Sequence, residues 1–518
     1  MASDGEEAIR AAVETAEVVE FPARGGGDDD DFDLRLSLFP KNDIGNARRL
    51  IERFGGDLIH VASVGWHVWS GCLWDRDDGE RQAQLLAHDT VAAIKDEAAA
   101  LEKHGPLSGW PDDQAGAAEK DWDDFVKGRR AWAVASGNSG RVWAMLREAM
   151  PQVGRRLEDL DSDNLLLNVA NGTLDLRQAN AAAGGGDLEL LPHRRDYLMT
   201  KACPVDFDPE AAAPQFRAFL DQILPDRQIQ TFLQRWFGYC LTGDTSEQCL
   251  VLLYGVGANG KSTLVDTVKW ILGDYAMTLP FASLLYDDRR GGSDATPDLA
   301  RLPGARLVSA SEPEVGKRLS ESMIKNITGG EPITARHLHQ HFFEFTPTFK
   351  LVLSFNTKPS VRGQDEGIWR RLLMVPFSVV VPRAQRDREL AHKLRAEASG
   401  ILNWMLDGLR LWFEGGLQIP DAVRAATEAY KTESDPLGQF LDMATRRTPG
   451  AHVQAKQFYT AYAQWCRENA VEPLSMTAVG RKLGDRGIQK KRTGVVFYKD
   501  LELREEFKPS GDRPEEER

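Results

Sequence analysis

The stretch LVLLYGVGANGKSTLVDTVKWILG, Leu250 to Gly273, constrains this chain more than any other. Leu250 to Tyr254 is a short continuous apolar run, which suits a buried parallel strand. Gly255 to Ser262 then satisfies G-x-x-x-x-G-K-S in full. In a loop of this kind the backbone N–H groups turn inward around phosphate oxygens, the lysine reaches the outer phosphates and the serine hydroxyl ligates Mg²⁺. The helix opening at about Ser262 adds the positive end of its dipole. Gly255, Val256, Gly257, Ala258, Asn259, Gly260, Lys261, Ser262 and Thr263 are thus the candidate nucleotide-binding residues. A chance glycine-rich turn lacks the strand before and the amphipathic helix after. The stretch therefore implies an α/β core that binds a nucleoside triphosphate.

A chain of 518 residues is too long for one core, and about three or four domains are expected. Apolar residues at 42% and charged residues at 27% describe an ordinary globular composition. No apolar run approaches the ~18 residues that span a bilayer. The opening MASDGEEAIR has no basic-then-apolar leader, and no membrane partner is expected. The five cysteines show no C-x-x-C spacing, which argues for a reducing compartment and against structural zinc or a disulfide framework. A cytoplasmic location, in a bacterium or a phage-infected host, is expected. A net charge of −14 excludes a chain that coats itself on nucleic acid everywhere, but it leaves room for a local basic channel.

Composition divides the chain. Residues 1–35, with ARGGGDDDDFD, read as a disordered acidic tail. Residues 36–213 read as an N-terminal α+β domain, with a tryptophan-rich hairpin in GWHVWSGCLWDRDD and a strand, Asn-Gly turn and strand in NLLLNVANGTLDLR. Residues 214–246 read as a helical collar, 247–382 as the nucleotide-binding core and 383–434 as a helical segment. Residues 435–508 form a last small domain, and 509–518 a disordered tail.

A nucleotide-driven motor also needs an acid to position water, a polar group that senses the terminal phosphate, and an arginine from a neighbour. ARLVSASEPE is an apolar strand that delivers Ser311, Glu312 and Glu314 at its end. Glu312, first after the strand, is the candidate to polarise the attacking water and to help Ser262 hold the metal. FKLVLSFNTKP ends a strand in Asn356, a candidate sensor. DEGIWRRLLMVPF places Arg370 and Arg371 before another buried run, where an arginine could stabilise transition-state charge across a subunit boundary. Between them, KNITGGEPITARHLHQHFFEFTPT reads as two extended stretches around a tip with Arg336, His337, His339 and His341, a candidate nucleic-acid contact.

The order GVGANGKST, LVSASEPE, TGGEPITAR, FNTKP and DEGIWRR resembles the superfamily 3 helicases. More narrowly it resembles the phage and plasmid primase-helicase group related to poxvirus helicase-primases. The resemblance is specific over about Gln248 to Val381, and GWHVWSGCLW and NVANGTLDLR are similar to the family's preceding domain. It implies an AAA+ type core using ATP and Mg²⁺, a ring that is commonly a hexamer, and 3′ to 5′ translocation on DNA. It carries Lys261 and Ser262 to nucleotide and metal, Glu312 to the Walker B acid, Asn356 to the sensor, and Arg371 or Arg370 to the finger. The strand-end acid pair common in the superfamily is Ser311-Glu312 here, with Glu314 as a possible helper. Larger members carry a primase-polymerase domain ahead of the helicase. The residues here suggest none, so priming is expected from a separate primase or polymerase.

HVQAKQFYTAYAQWCREN reads as one helix, SMTAVGRKLGDRG as a helix capped by Ser475 and stopped by Gly487, and IQKKRTGVVFYKDLEL as a hairpin. Helix, helix and wing is a winged-helix pattern. Arg481, Lys482, Lys490, Lys491 and Arg492 are its candidate DNA contacts, with Arg486 beside them. The leading reading is an ATP-dependent replicative DNA helicase. A nucleotide-regulated DNA-binding protein without unwinding is the alternative, with a small-molecule P-loop kinase behind it.

Overall fold

The computed structural model describes residues 29–62, 64–106, 115–180, 186–286, 296–311, 317–336, 342–469 and 471–508. These fall into two compact units. The first holds 29–175 and 189–206 with 342–343, and the second holds the rest.

The first unit opens with α1 (Asp29–Ser37), α2 (Asp43–Phe54), β1 (Leu58–Val61), β2 (Gly65–Trp69) and β3 (Trp74–Asp75). Helices α3 (Gly79–His104), α4 (Ala115–Ser136) and α5 (Ser139–Ala149), then β4 (Gly154–Arg155), complete its first layer. The sheet order is β3-β2-β1-β4. The tryptophan-rich hairpin forms as β2 and β3, with Trp69 opposite Trp74. Part of the acidic stretch expected to be a tail is helical instead. Asp33 pairs with Arg53 at 2.5 Å, and Arg35 and Arg53 both lie over the Phe32 ring. Partners fixed on α2 thus give the acid run a place to pack, which composition alone does not reveal. Residues 1–28 and 509–518 lie outside the described residues. Arg49 on α2 is fully buried, and its guanidinium donates to Glu97 at 2.7 Å, to the Leu36 carbonyl of α1 and to the Phe39 and Pro40 carbonyls of the α1–α2 connection. Pairing and full hydrogen bonding are what make a buried charge tolerable. A second small sheet follows, β5 (Leu166–Val169), β6 (Gly172–Asp175) and β7 (Leu190–Leu191). Its first turn falls at Ala170-Asn171, one residue before the expected Asn-Gly, because Gly172 already pairs with Val169. A Cβ on Gly172 would stand 2.5 Å from the Leu191 carbonyl of β7, so the glycine serves the close approach of the two strands.

The second unit is centred on five parallel strands: β8 (Leu250–Tyr254), β9 (Ala276–Thr278), β10 (Leu307–Ser311), β13 (Lys350–Phe355) and β14 (Leu372–Pro376). Their order is β14-β8-β13-β10-β9. β8, β10, β13 and β14 are buried almost throughout, as their unbroken apolar runs require. Helices α6 (Pro214–Ile223) and α7 (Arg227–Tyr239) precede the sheet, and α8 (Lys261–Leu272) follows β8. Short α9 (Pro297–Ala300), α10 (Glu321–Gly329) and the ribbon β11 (Ile333–Ala335) with β12 (Phe343–Phe345) lie between β9 and β13. After α11 (Glu366–Trp369) and β14 come α12 (Leu390–Ala396), α13 (Ala398–Gly415) and α14 (Asp421–Glu433). α13 packs along α7, with Phe237 of α7 and Phe216 of α6 both against Trp404. The turn after α7 is held by two cations from strand beginnings. Arg306 donates to the Leu241 carbonyl, and buried Lys350 donates to the carbonyls of Thr242, Asp244 (3.1 Å) and Thr348 (3.3 Å) beneath the Tyr239 ring.

The chain closes with α15 (Pro436–Ala444), β15 (Thr445–Arg446), β16 (His452–Gln454), α16 (Ala455–Glu468), α17 (Met476–Asp485), β17 (Lys490–Thr493), β18 (Val495–Lys499) and β19 (Glu502–Leu503). His452–Gln454, expected to begin a helix, is a strand, because its backbone pairs with β18 in the three-stranded sheet β16-β18-β17. Ser475 caps α17 by accepting from the Ala478 N–H at 3.3 Å, and Gly487 takes a φ of +77° beyond its end. Phe440, Phe458, Tyr462 and Trp465 belong to one hydrophobic core cluster of this last segment. No helix among the described residues is long and apolar enough to cross a membrane.

Candidate nucleotide site and candidate nucleic-acid contacts

The glycine loop lies at the carboxyl edge of the parallel sheet. Its shape rests on two glycines with different reasons to be glycine. Gly260 has a φ of +81°, and a Cβ there would stand 2.6 Å from Ile223 of α6. A Cβ on Gly255 would stand 2.3 Å from the Phe377 carbonyl just past β14. Ala258 also takes a positive φ, +62°. Left-handed residues within such a turn shape the backbone concavity that binds anions. The loop is tied to the segment after β14, where the Val381 N–H donates to the Ala258 carbonyl at 2.8 Å.

Lys261, first residue of α8, is only 5% exposed. Its ammonium donates to the Gly255 carbonyl (2.6 Å), Asn259 Oδ1 (3.1 Å) and Asn356 Oδ1 (3.2 Å). All three acceptors are neutral, and burial lowers the lysine's pKa. Among the described residues no carboxylate pairs with Lys261, and a phosphate would supply an anion there. Asn259 is itself held, since its amide donates to the Phe377 carbonyl at 3.4 Å. Ser262 is exposed at the helix start, and Thr263 is half-buried beside it. Asn356 reaches Lys261 because β13 pairs with β8 in parallel register, Phe355 opposite Tyr254, so both strands end at the same edge. Ser311 ends β10 opposite Ser354 at that edge too. Glu312 and Glu314 lie outside the described residues.

A cavity of about 700 Å³ opens beside the loop. Ala258, Gly260 and Thr263 form one wall, and Gln215, Phe219 and Gln222 of α6 another. Val381 and Gln385 close it. Local patterning points to the loop wall but not to the α6, Val381 and Gln385 residues, because α6 and the 381–390 segment meet the loop only through the fold. Asn259 is legible as a loop residue, but its bond to Lys261 is not.

Arg370 and Arg371 stand apart from the loop. β14 pairs with β8 with Leu372 opposite Leu250, so both arginines sit at the strands' amino ends. The length of β8, about 17 Å for five residues, separates that end from the loop. Arg371 is buried, donating to Thr328 Oγ1 (3.0 Å) and the Gly367 carbonyl (2.6 Å), and burial with Arg370 nearby lowers its pKa. Arg370 is exposed, with Gln248 Oε1 at 3.4 Å.

Of the candidate nucleic-acid contacts, Arg336 directly follows β11, and its backbone N–H donates to Thr296 Oγ1 at 3.2 Å. His337, His339 and His341 lie outside the described residues. Lys490, Lys491 and Arg492 are exposed along β17, and Arg481 is exposed on α17. Lys482 is turned toward its own chain, donating to the Arg362 carbonyl at 2.8 Å, and burial lowers its pKa. Arg486 pairs with Asp435 at 2.5 Å. Among the described residues no group of three or more His, Cys, Asp or Glu could hold a metal ion.

Residues 47–225 match the protein family described as D5 N terminal like, and 253–371 match a family of unknown function, DUF5906. The chain is 29% identical over 332 residues to "Putative helicase L207/L206" of Acanthamoeba polyphaga mimivirus, covering 60% of this chain and 34% of that one. It is 26% identical to "Putative helicase 022R" of Frog virus 3 (isolate Goorha), over 52% of this chain and 29% of the relative. It is 24% identical to "Putative primase C962R" of African swine fever virus (isolate Pig/Kenya/KEN-50/1950), over 60% of this chain and 34% of the relative. The chain thus spans about a third of the length of these relatives. The apo structure of the NrS-1 C terminal region (305-718) matches at a TM-score of 0.37 and 12% identity, covering 58% of this chain and 78% of that chain. That similarity is too low to argue a shared fold. The likeness to the helicase-primase group of large DNA viruses, expected from the motif order, is found in the sequence relatives.

Proposed function

From its kinship with the helicase-primase group of large DNA viruses, we propose that this chain is an ATP-dependent DNA helicase of superfamily 3 type. One observation carries the reading. The lysine of a complete phosphate loop is buried among neutral acceptors and meets the amide that ends the neighbouring strand. The residues fit the triphosphate: a side chain on Gly255 or Gly260 would fill the loop's interior or its backing, and Lys261 has no anion beside it among the acceptors named. In this reading Lys261 and the loop N–H groups hold the phosphates, and Ser262, with Glu312, holds Mg²⁺. Bound metal supplies charge neutralisation and orients the outer phosphates. Asn356 leaves Lys261 to face the terminal phosphate, and Glu312 orients the attacking water. The cavity against α6 takes the nucleoside end.

An arginine finger in this chain would act on a neighbour's site, because the β14 register keeps Arg370 and Arg371 at the far end of the sheet. Exposed Arg370 is assigned the finger, and Arg371, bound within its own chain, the support beneath it. That arrangement calls for a ring, a hexamer in this reading, moving 3′ to 5′ on DNA. The hairpin tip with Arg336, His337 and His339 grips DNA in the pore. The C-terminal domain, read as a winged helix, recruits duplex through β17 and α17, and priming falls to a separate primase or polymerase. A strand-displacement assay on tailed duplexes of both polarities, with ATP, tests the reading. Unwinding from the 3′ tail that Lys261→Ala abolishes supports it. DNA binding without ATP turnover or strand displacement would favour the nucleotide-regulated DNA-binding alternative. ATPase rescued by mixing Lys261→Ala with Arg370→Ala chains supports shared sites.

A further inference from the structure

The segment from Asn356 to Asp365 touches the nucleotide site at one end and the C-terminal domain at the other. At its start the Asn356 amide accepts from Lys261. Two residues on, Lys358 pairs with Glu433 at 2.6 Å and lies over the rings of Tyr254, last residue of β8, and Tyr430. The Pro359 carbonyl accepts from the Tyr430 hydroxyl. Gln364 donates to the Ser434 carbonyl at 3.2 Å, where α14 hands over to the C-terminal domain. The Arg362 carbonyl accepts from Lys482 of α17, and the Arg362 guanidinium lies 3.8 Å from Glu472.

Lys482 therefore has two possible partners of different charge. Its ammonium now serves a backbone carbonyl, and it is half-buried there. A nucleic-acid phosphate would be the stronger partner, because a charge-assisted bond to an anion exceeds one to a neutral oxygen. To face outward, α17 must part from the Arg362 carbonyl. At the other end, a phosphate in the loop would compete with Asn356 for Lys261, again an anion against a neutral oxygen.

We propose that the C-terminal domain docks through Lys482 on the segment following Asn356, that nucleic acid competes with this docking, and that ATP binding releases it. The proposal rests on the reading above and deepens it by naming the route between its two sites. Nucleotide then tightens duplex binding, and duplex tightens nucleotide binding by the same factor, since linkage is reciprocal.

The test is a titration of labelled duplex with the full chain at fixed salt, with and without a non-hydrolysable ATP analogue. Wild type should bind duplex about fivefold or more tightly with nucleotide, the lower end of ordinary coupling. Lys482→Met keeps the apolar stem and should bring the ratio to one. Lys491→Ala, on exposed β17, should weaken binding in both states and preserve the ratio. Glu472→Arg sets like charge against Arg362 at an exposed position and should also move the ratio toward one. A wild-type ratio of one, or a wild-type ratio retained in both Lys482→Met and Glu472→Arg, overturns the proposal. Failure of wild type to bind nucleotide or duplex at all overturns the functional reading with it, whereas binding of both without coupling overturns the proposal alone.

Discussion

The carboxyl edge of the parallel sheet and the open edge of the C-terminal sheet both gather cations, and they do so in opposite ways. At the first, Lys261 is buried, bonded to three neutral acceptors and backed by glycines that leave no room for a side chain. At the second, Lys490, Lys491 and Arg492 stand in solvent on one strand. A buried charge in fixed geometry acts strongly on one ligand, because little water screens it. Exposed charges act weakly, additively and in a salt-dependent way on any polyanion. Under the proposed function, the contrast suits a site that would hold one phosphate group in place and a surface that would follow a backbone.

The largest effect should come from Lys261→Ala. Loss of the buried cation should lower ATP turnover by about 100-fold or more, read in a steady-state phosphate-release assay. Alanine at Lys490, Lys491 and Arg492 together should leave DNA-free turnover near wild type. If the two variants lose turnover alike, the regions do not divide the work as described.

Gly260→Ala sharpens the same side. A left-handed φ costs a non-glycine residue about 1–3 kcal/mol, and the new Cβ meets Ile223. Nucleotide affinity by calorimetry should fall about tenfold or more, and unchanged affinity would mean the loop has freedom the packing denies it.

On the exposed side, the Lys490, Lys491 and Arg492 triple alanine variant should flatten the salt dependence of duplex binding. The log–log slope should fall by up to about one unit for each phosphate that the variant no longer neutralises. An unchanged slope means that duplex is held by another surface.

A last test, away from both regions, asks whether burial alone makes a cation special. Burial pushes Lys350 down to about 7, far below its ordinary value, where it donates to three carbonyls beneath the Tyr239 ring. Above that pH the unfolded chain binds the proton and the folded chain does not. Stability should therefore rise between about pH 7 and 10, by at most about 1.4 kcal/mol per pH unit for this proton. Below pH 7 both states are protonated and this contribution is flat. Lys350→Met should reduce the slope measured by denaturant titration across that window, and an identical slope would show that the three carbonyls keep the ammonium charged throughout.

Much of the site's chemistry is legible in order along the chain. The phosphate loop, its strand and its helix are contiguous, so periodicity and glycine spacing describe them without a fold. The same holds for the tryptophan hairpin and for the Ser475 cap and Gly487 stop of α17, where the signal lies within a few residues. The first unit's helices are less legible, since α3 is rich in alanine and carries its buried residues on a weak stripe. The α1 helix escapes a reading by composition because its acid run is stabilised by an arginine on another helix.

By itself the sequence determined which groups are candidates for phosphate chemistry and for polyanion binding, because side-chain chemistry and local backbone preference travel with each residue. Tertiary structure alone decided which of them meet. Lys261 finds Asn356 across 95 residues through the parallel register of β8 and β13. The register of β14 carries Arg370 and Arg371 away from the loop, and packing buries one and exposes the other. Lys482, alike in sequence to its basic neighbours, faces a carbonyl 120 residues away rather than solvent. Such pairings depend on strand order and helix docking, which many residues set together and no single motif encodes.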